Sequence, residues 1–306
     1  MIAAEPMVQQ VSPTEPACGP FQHPFVPLVG PYTYVVVSPR ARGLSLGVNL
    51  NPTKYCNFDC AYCEVDRSGG TPANNPVNVH RLAVELEAAL TLIHAGCLAA
   101  HPEFQNVPRD LLQLKHVTLS GYGEPTLCPN FHEVVETVIH LRASARTGYF
   151  KLVVVTNASG LDRPEVAYGF SLLTRKDEIW AKLDAGTQGY MDRVNRPAEG
   201  VSSASPLPGT LQHVLANIRE LGRQRPIIIQ TMVPAINGRN PFENELAEYI
   251  ARLRELKAQG AQISLVQIYS ATRPSPHSDC GHLPLNVLSG IAKRVRAGTG
   301  LRVEVF

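Results

Sequence analysis

The sequence predicts an α/β fold in which parallel strands are joined by crossover helices, and three observations carry that expectation. Runs dominated by Val, Ile, Leu or Thr recur at residues 44–50, 115–120, 150–156, 178–183, 226–233 and 263–269, the composition of strands. Between them, apolar residues fall at helical spacing over 79–98, 131–145, 163–174, 210–222 and 243–258, and strict alternation of the two patterns argues for a parallel sheet. The long stretches 66–78, 184–209 and 271–284 follow strands and are rich in Gly, Pro, Ser and Asn. In barrel-like folds the loops after the strands build the active-site face.

Residues 1–31 read as an extended arm, because Pro6, Pro13, Pro16, Pro20, Pro24, Pro27 and Pro31 each fix φ and remove a backbone donor. Tyr32 to Val37, the turn Pro39-Arg40-Ala41-Arg42-Gly43 and the run from Leu44 read as a hairpin leading into the first core strand. The clearest helix spans Asn244 to Lys257, with Leu246, Ile250, Leu253 and Leu256 on one stripe and Glu245, Glu248, Arg252 and Arg254 elsewhere. Cys97 is expected in the helical stripe of Leu90 and Ile93, and so in the core. Residues 101–114 form a long helix-to-strand connection with no assigned role.

The 306 residues suggest two domains by length alone, but strand-helix barrels use such lengths as one unit, so residues 32–306 are taken as one domain. With 28 Lys plus Arg against 26 Asp plus Glu, the formal charge is only +2, which does not indicate a dominant polyanion-binding surface. Apolar runs fall far short of the ~20 residues of a membrane span. No Lys or Arg precedes Arg40, unlike a secretory or transit leader, so a cytoplasmic protein without membrane association is expected.

Seven cysteines, an odd number, include three crowded into one loop at Cys56, Cys60 and Cys63. In a reducing compartment this pattern suggests a metal site more than a disulfide framework. Iron-sulfur cubanes normally take four thiolates, so three local ligands leave one iron open unless Cys18, Cys128 or Cys280 completes the shell. A structural zinc site is the alternative, but zinc usually takes four ligands in pairs such as Cys-x2-Cys, and only one such pair occurs.

The spacing Cys56-x3-Cys60-x2-Cys63 with Tyr62 before the last cysteine resembles the radical S-adenosylmethionine (SAM) superfamily. With Val36-Val-Ser-Pro-Arg-Ala-Arg-Gly-Leu-Ser-Leu-Gly-Val-Asn-Leu50 before the cysteines, Ser120-Gly-Tyr-Gly-Glu-Pro-Thr-Leu127, Val155-Thr-Asn-Ala158, Lys182-Leu-Asp-Ala-Gly186 and Asn195-Arg-Pro197, the chain resembles a branch of uncharacterised iron-sulfur oxidoreductases similar to the tRNA wyosine-base synthases, over about residues 34 to 272. The resemblance implies a partial (βα)6 TIM-like barrel, a 4Fe-4S cluster on Cys56, Cys60 and Cys63, and SAM on the open iron. It implies reductive cleavage of SAM to a 5'-deoxyadenosyl radical that abstracts hydrogen from an unidentified substrate, RNA or a small molecule. A reducing partner such as flavodoxin or ferredoxin is implied too, and DNA is not expected.

Gly121 and Gly123 permit a close backbone approach, and Glu124 can accept hydrogen bonds from the methionine amine. Asn157, Lys182 and Asp184 end predicted strands on the same face, where ribose or carboxylate contacts are expected. Gln230 and Tyr269 or Ser270 could face cofactor or substrate, and Tyr62 is expected near the adenine. Asn157 could instead cap the helix that follows. In the wyosine synthases a lysine is thought to engage pyruvate as a Schiff base, and Lys182 would need a depressed pKa for such a role. Cys280, between His277 and His282, is a candidate hydrogen-donating thiol or auxiliary ligand, or a loop residue without chemistry. Two departures separate the chain from the wyosine synthases: only Cys18 precedes the main motif, whereas they carry a second N-terminal cluster, and no basic surface stands out. The alternative to an enzyme is a non-catalytic iron-sulfur or zinc module on the same fold.

Overall fold

A computed structural model describes residues 26–67, 70, 75–144, 148–197, 209–273, 275–277 and 279–306; most of the expected Pro-rich arm, with Cys18, lies outside them. The strands are β1 (Val26–Pro27), β2 (Thr33–Ser38), β3 (Gly43–Val48), β4 (Leu114–Leu119), β5 (Lys151–Thr156), β6 (Glu178–Lys182), β7 (Ile227–Met232), β8 (Ala235–Ile236), β9 (Ile263–Tyr269), β10 (Cys280–Gly281) and β11 (Val303–Val305). The helices are α1 (Val79–His94), α2 (Phe131–Ala143), α3 (Pro164–Ser171), α4 (Gln188–Val194), α5 (Leu211–Gln224), α6 (Phe242–Ala258) and α7 (Leu285–Thr299). Nine strands make one sheet in the order β1-β2-β3-β4-β5-β6-β7-β9-β11, parallel from β3 onward, with β8 and β10 paired separately. The sheet curls into a half-barrel, as the resemblance implies.

Each expected strand and helix is present within a few residues of its predicted bounds. Two features extend the expectation: α4 interrupts the stretch taken as the loop 184–209, and α7 with β11 adds a further strand-helix unit beyond the six. Cys97 is a correction. Helix α1 ends at His94, and Gly96 turns the chain left-handed at φ 73°, so the helical stripe stops before Cys97 and its side chain is exposed.

Because side chains alternate across a strand, the sheet has two chemically different faces. Leu44, Leu46, Val48, Val117, Leu119, Leu152, Val154, Ile179, Ile229, Val266 and Ile268 pack outward against the helices in the main core, each burial contributing about 1.5–3 kcal/mol. The opposite face lines the barrel lumen and is mixed in character. Val153, Trp180 and Ile228 form a small apolar cluster of their own. Around it, Ser45 and Thr118 share a 2.8 Å hydrogen bond, Gln230 donates to Gln267 at 2.8 Å, and His116 meets the Trp180 ring edge-on at 5.4 Å. Burial, with Lys151 and Arg40 nearby, pushes His116 down to about 3, so it is neutral at physiological pH.

Gly47 has a packing reason. The Tyr34 ring lies across β3 to reach Ser120 Oγ at 2.6 Å, and a Cβ at position 47 would stand 2.0 Å from Tyr34 Cζ. Gly47→Ala is therefore expected to displace the ring and cost about 1–3 kcal/mol, measured by urea denaturation; an unchanged midpoint would contradict this packing.

Candidate functional site

The cysteine loop follows β3 and is held by side chains rather than by regular structure. Asn49 Oδ1 accepts from the backbone N–H of Asn51 and of Tyr122, both at 3.1 Å, joining the loop's start to the glycine segment. Arg67, four residues after Cys63, donates to the carbonyls of Lys54 and Tyr122 at 2.8 Å and to Cys63 Sγ at 3.1 Å. Ser275 Oγ donates to the carbonyls of Ala61 and Cys63 at 2.8 and 3.0 Å. The loop after β9 thus straps the cysteine loop from the other side, and Arg273 pairs with Glu64 at 3.0 Å.

The glycine segment after β4 packs directly onto this loop. A Cβ on Gly123 would lie 2.0 Å from the Tyr55 carbonyl and 2.7 Å from Asn51, and one on Gly121, at φ 135°, would lie 2.6 Å from Asn49 Oδ1. No side chain larger than hydrogen fits at either position, because the segment packs against the cysteine loop itself.

Three non-glycine residues in the left-handed region surround the site: Lys54 at φ 61°, Ala158 at φ 65° and Arg196 at φ 48°. Such strain persists where surrounding contacts over-determine the backbone. Ala158, fully buried, is pinned by its N–H to Thr156 Oγ1 at 3.0 Å and by its carbonyl to Asn217 at 2.9 Å.

The structure brings the predicted residues Tyr62, Lys182 and Asp184 together. Asp184 is buried, and its Oδ2 accepts from Tyr62 Oη at 2.5 Å and Asn195 Nδ2 at 2.7 Å, while Oδ1 accepts from the Met232 N–H at 2.7 Å. Lys182 Nζ stands 3.6 Å from Asp184 Oδ1, donates to Tyr269 Oη at 3.1 Å and lies 4.7 Å from the Tyr62 ring centroid. Asn195 also reaches toward Cys60 Sγ at 3.8 Å. Asn157, with Lys182, Asp184 and Asn195, lines a small pocket of about 10 Å³. Gln230 and Tyr269 belong to the same inner face, since Gln230 registers with Lys182 and Tyr269 with Met232.

Several expectations are changed by these contacts. Lys182 is not a depressed amine: burial pulls it down, but Asp184, then Tyr269 and Cys60, hold it above its ordinary value. In this structure it is the ion-pair partner of Asp184. Glu124 is 2% exposed and fully engaged, its Oε1 accepting from Thr126 N, Thr126 Oγ1 and Thr156 Oγ1 and its Oε2 from Asn157 N, at 2.6–3.0 Å. It braces the end of β5 from beneath the site, where burial leaves its carboxyl raised despite those bonds. Asn157 caps no helix; its Oδ1 accepts from Ser159 N and Oγ, and its Nδ2 donates to Asn57 in the cysteine loop at 2.9 Å. Ser270 is structural, donating to the Val233 carbonyl. Cys280 sits in the β8–β10 bridge beside Asp279, with no hydrogen bond to its sulfur among the described residues.

Cys56, Cys60 and Cys63 are free thiols, partly accessible and backed by core residues. Burial pushes Cys56 up to about 11 and Cys60 up to about 12, against the opposing pull of Arg67 and Lys182 respectively. Thiolates here need a cationic centre to replace their protons. Among the described residues no three His, Cys, Asp or Glu side chains are grouped tightly enough to chelate a single ion. The three sulfurs share one loop, with Arg67 donating to Cys63 Sγ at 3.1 Å and Asn195 reaching toward Cys60 Sγ at 3.8 Å. Arg67 carried no sequence signal beyond proximity to the cysteines, whereas Asn49, Asn57 and Asn195 stood inside motif segments without an assigned role.

The half-barrel is a fold seen in solved radical SAM enzymes. TYW1 with a lysine-pyruvate adduct superposes with a TM-score of 0.52 at 16% identity, covering 87% of this chain and 84% of that one. Streptococcus suis SuiB bound to S-adenosylmethionine gives a TM-score of 0.52 at 13% identity, covering 87% of this chain and 52% of SuiB. In sequence the chain is similar to a UPF0026 protein of Synechocystis, 26% identical over 249 residues that cover 80% of this chain and 77% of the relative. No family model matches. No helix among the described residues is long and apolar enough to cross a membrane.

Removing the Asp184 charge leaves Lys182 without its counter-ion in a buried setting. Asp184→Asn is expected to cost about 3–5 kcal/mol, and Lys182→Met in the same chain to recover part of that loss. A urea double-mutant cycle checks it, and strict additivity would show that the pair is not coupled.

Proposed function

We propose that this protein is a radical SAM enzyme whose cluster loop is Cys56, Cys60 and Cys63. The observation that carries the reading is the Gly121–Gly123 backbone pressed against that loop, so that a SAM-sized ligand there would meet main-chain groups beside the thiols. The fold shared with SuiB, solved with S-adenosylmethionine bound, supports the same reading. When bound, a 4Fe-4S cluster would supply the electron that cleaves SAM to methionine and a 5'-deoxyadenosyl radical.

The chain's own residues orient and insulate this chemistry. Arg67 and Asn195 direct N–H groups toward Cys63 and Cys60, and hydrogen bonds to cluster sulfurs tune potential. Main-chain groups of Gly121 and Gly123 are assigned to the methionine end of SAM, with Glu124 holding the geometry from behind. The Asn157 amide and the Tyr62 backbone are assigned to its nucleoside end. Lys182 and Asp184, as a matched ion pair, close the pocket floor and keep Tyr62 in place without adding net charge. The inner face beyond them, with Gln230 and Tyr269, is the substrate side. Electrons would come from a reducing partner of the flavodoxin or ferredoxin type.

The protein reconstituted anaerobically with iron and sulfide, then given SAM and dithionite, is expected to form 5'-deoxyadenosine detectable by mass spectrometry. Cys60→Ala is expected to abolish it together with the cluster's visible absorbance. A fully loaded parent that neither binds SAM nor forms 5'-deoxyadenosine would favour the non-catalytic module.

A further inference from the structure

Arg40 is the second residue of the turn between β2 and β3, closed by the Arg42 N–H to the Pro39 carbonyl at 3.0 Å. A long cation at such a position is ordinarily free to extend into water, and its neighbour shows that choice: Arg42 is exposed and pairs with Glu304 at 3.3 Å. Arg40 folds the other way. Its guanidinium carbon lies 4.0 Å from the centroid of the Tyr269 ring, on the opposite flank of the curled sheet. Its Nε is buried without a hydrogen-bond partner, and among the described residues no carboxylate pairs with it.

The other cations of the inner face are matched. Lys182 has Asp184 at 3.6 Å and Lys151 has Glu178 at 2.8 Å, while Glu178 also accepts from Trp180 Nε1 at 2.8 Å. Arg40 therefore leaves the lumen with one positive charge that no described side chain answers. Stacking on tyrosine offsets part of the desolvation of a guanidinium, but it leaves the buried Nε–H without a partner, and an unmade bond to a buried charged donor is costly. A ligand oxyanion removes that cost, because two oxygens of a carboxylate or phosphate match the fork. Beside it, Gln230 donates to Gln267, so the Gln230 carbonyl and the Gln267 amide hydrogens have no further partner among the described residues.

Tyr269 also fixes the direction of approach. Its hydroxyl meets Lys182, which lies over Tyr62 of the cysteine loop, so a molecule held by Arg40 has its other end directed toward the thiols. His116 and Trp180 meet edge-on at 5.4 Å on the same inner face, and Trp180 packs with Val153 and Ile228, so side chains occupy part of the lumen.

We propose that Arg40 is the anion anchor of the substrate site, and that the substrate is a small molecule carrying a carboxylate or phosphate group. The assignment rests on the radical SAM reading for treating the lumen as the substrate side. Calorimetry on the cluster-reconstituted protein tests it with succinate, inorganic phosphate and neutral succinamide. At least one anion is expected to bind in the millimolar range and succinamide not to bind, the tighter anion identifying the oxyacid. Arg40→Gln should weaken that anion tenfold or more, Arg40→Lys should weaken it through loss of the fork, and Arg42→Gln should leave it unchanged. SAM binding by the same preparations serves as the folding control.

If the parent binds neither anion, or if succinamide binds as well, the proposal fails. It also fails if both Arg40 variants hold the anion as the parent does, or if Arg42→Gln weakens it equally. A parent that binds the anion through Arg40 but shows no affinity for SAM would overturn the radical SAM reading and leave Arg40 as an anion site.

Discussion

The arrangement depends on one buried carboxylate. Asp184, at the end of the parallel strand β6, accepts from Tyr62 in the cysteine loop, Asn195 beyond α4 and the main chain of β7, and faces the Lys182 ammonium. A dehydrated carboxylate is unstable unless its lone pairs are filled, and here each partner comes from a different segment. The charge therefore acts as a clasp. A loop with little regular structure of its own is fixed to the barrel end because moving it would strip Asp184 of the Tyr62 hydroxyl and leave part of a buried charge unanswered. Charge-assisted hydrogen bonds are among the stronger ones available to a protein, and this network uses them where the sulfurs have to be held.

The second constraint is steric. The glycine segment can lie against the cysteine loop only because Gly121 and Gly123 have no side chains, and Asn49 stitches the two together through both backbones. Glu124 then fixes the segment to the end of β5 through Thr126, Thr156 and the Asn157 N–H. Thiol loop, glycine loop and the end of β5 form one continuous hydrogen-bonded surface, which can present main-chain groups to a ligand without reorganisation. The strained Ala158 and Arg196 lie next to Asn157 and Asn195, so the backbone cost is concentrated where side chains must be aimed.

The fold was legible wherever burial imposes a period. The strands and long helices follow from apolar alternation and spacing, and both are consequences of packing one face. Short elements escape such reading: α4 has seven residues and β11 three, too few to display a period. Cys97 was misplaced because the apolar spacing continues past His94, while the backbone turns at Gly96. At the site, residue types were legible and their bonding was not. Glu124 and Lys182 were both expected from motifs to face a ligand, yet one is consumed as a brace and the other neutralised by a neighbour two residues along. Which oxygen satisfies which hydrogen depends on the third dimension, and a linear pattern carries only the inventory.

Arg40 shows the same limit from the opposite side. In the sequence it is a charged residue in a Pro-Arg-Ala-Arg-Gly turn, indistinguishable in type from Arg42 two positions on. The curl of the sheet separates them, bringing the β2–β3 turn across the open side of the half-barrel, where Arg42 meets Glu304 on β11 and Arg40 meets Tyr269 on β9. The two contacts close the same gap but differ in their electrostatics. The outer pair is complete and solvent-screened, so its contribution to stability is small. The inner contact leaves a half-buried cation whose Nε has no partner beside a polar lumen where, among the described residues, Lys182 and Lys151 are matched. The outer cation has its carboxylate, and the inner one keeps a donor that a ligand oxyanion could satisfy.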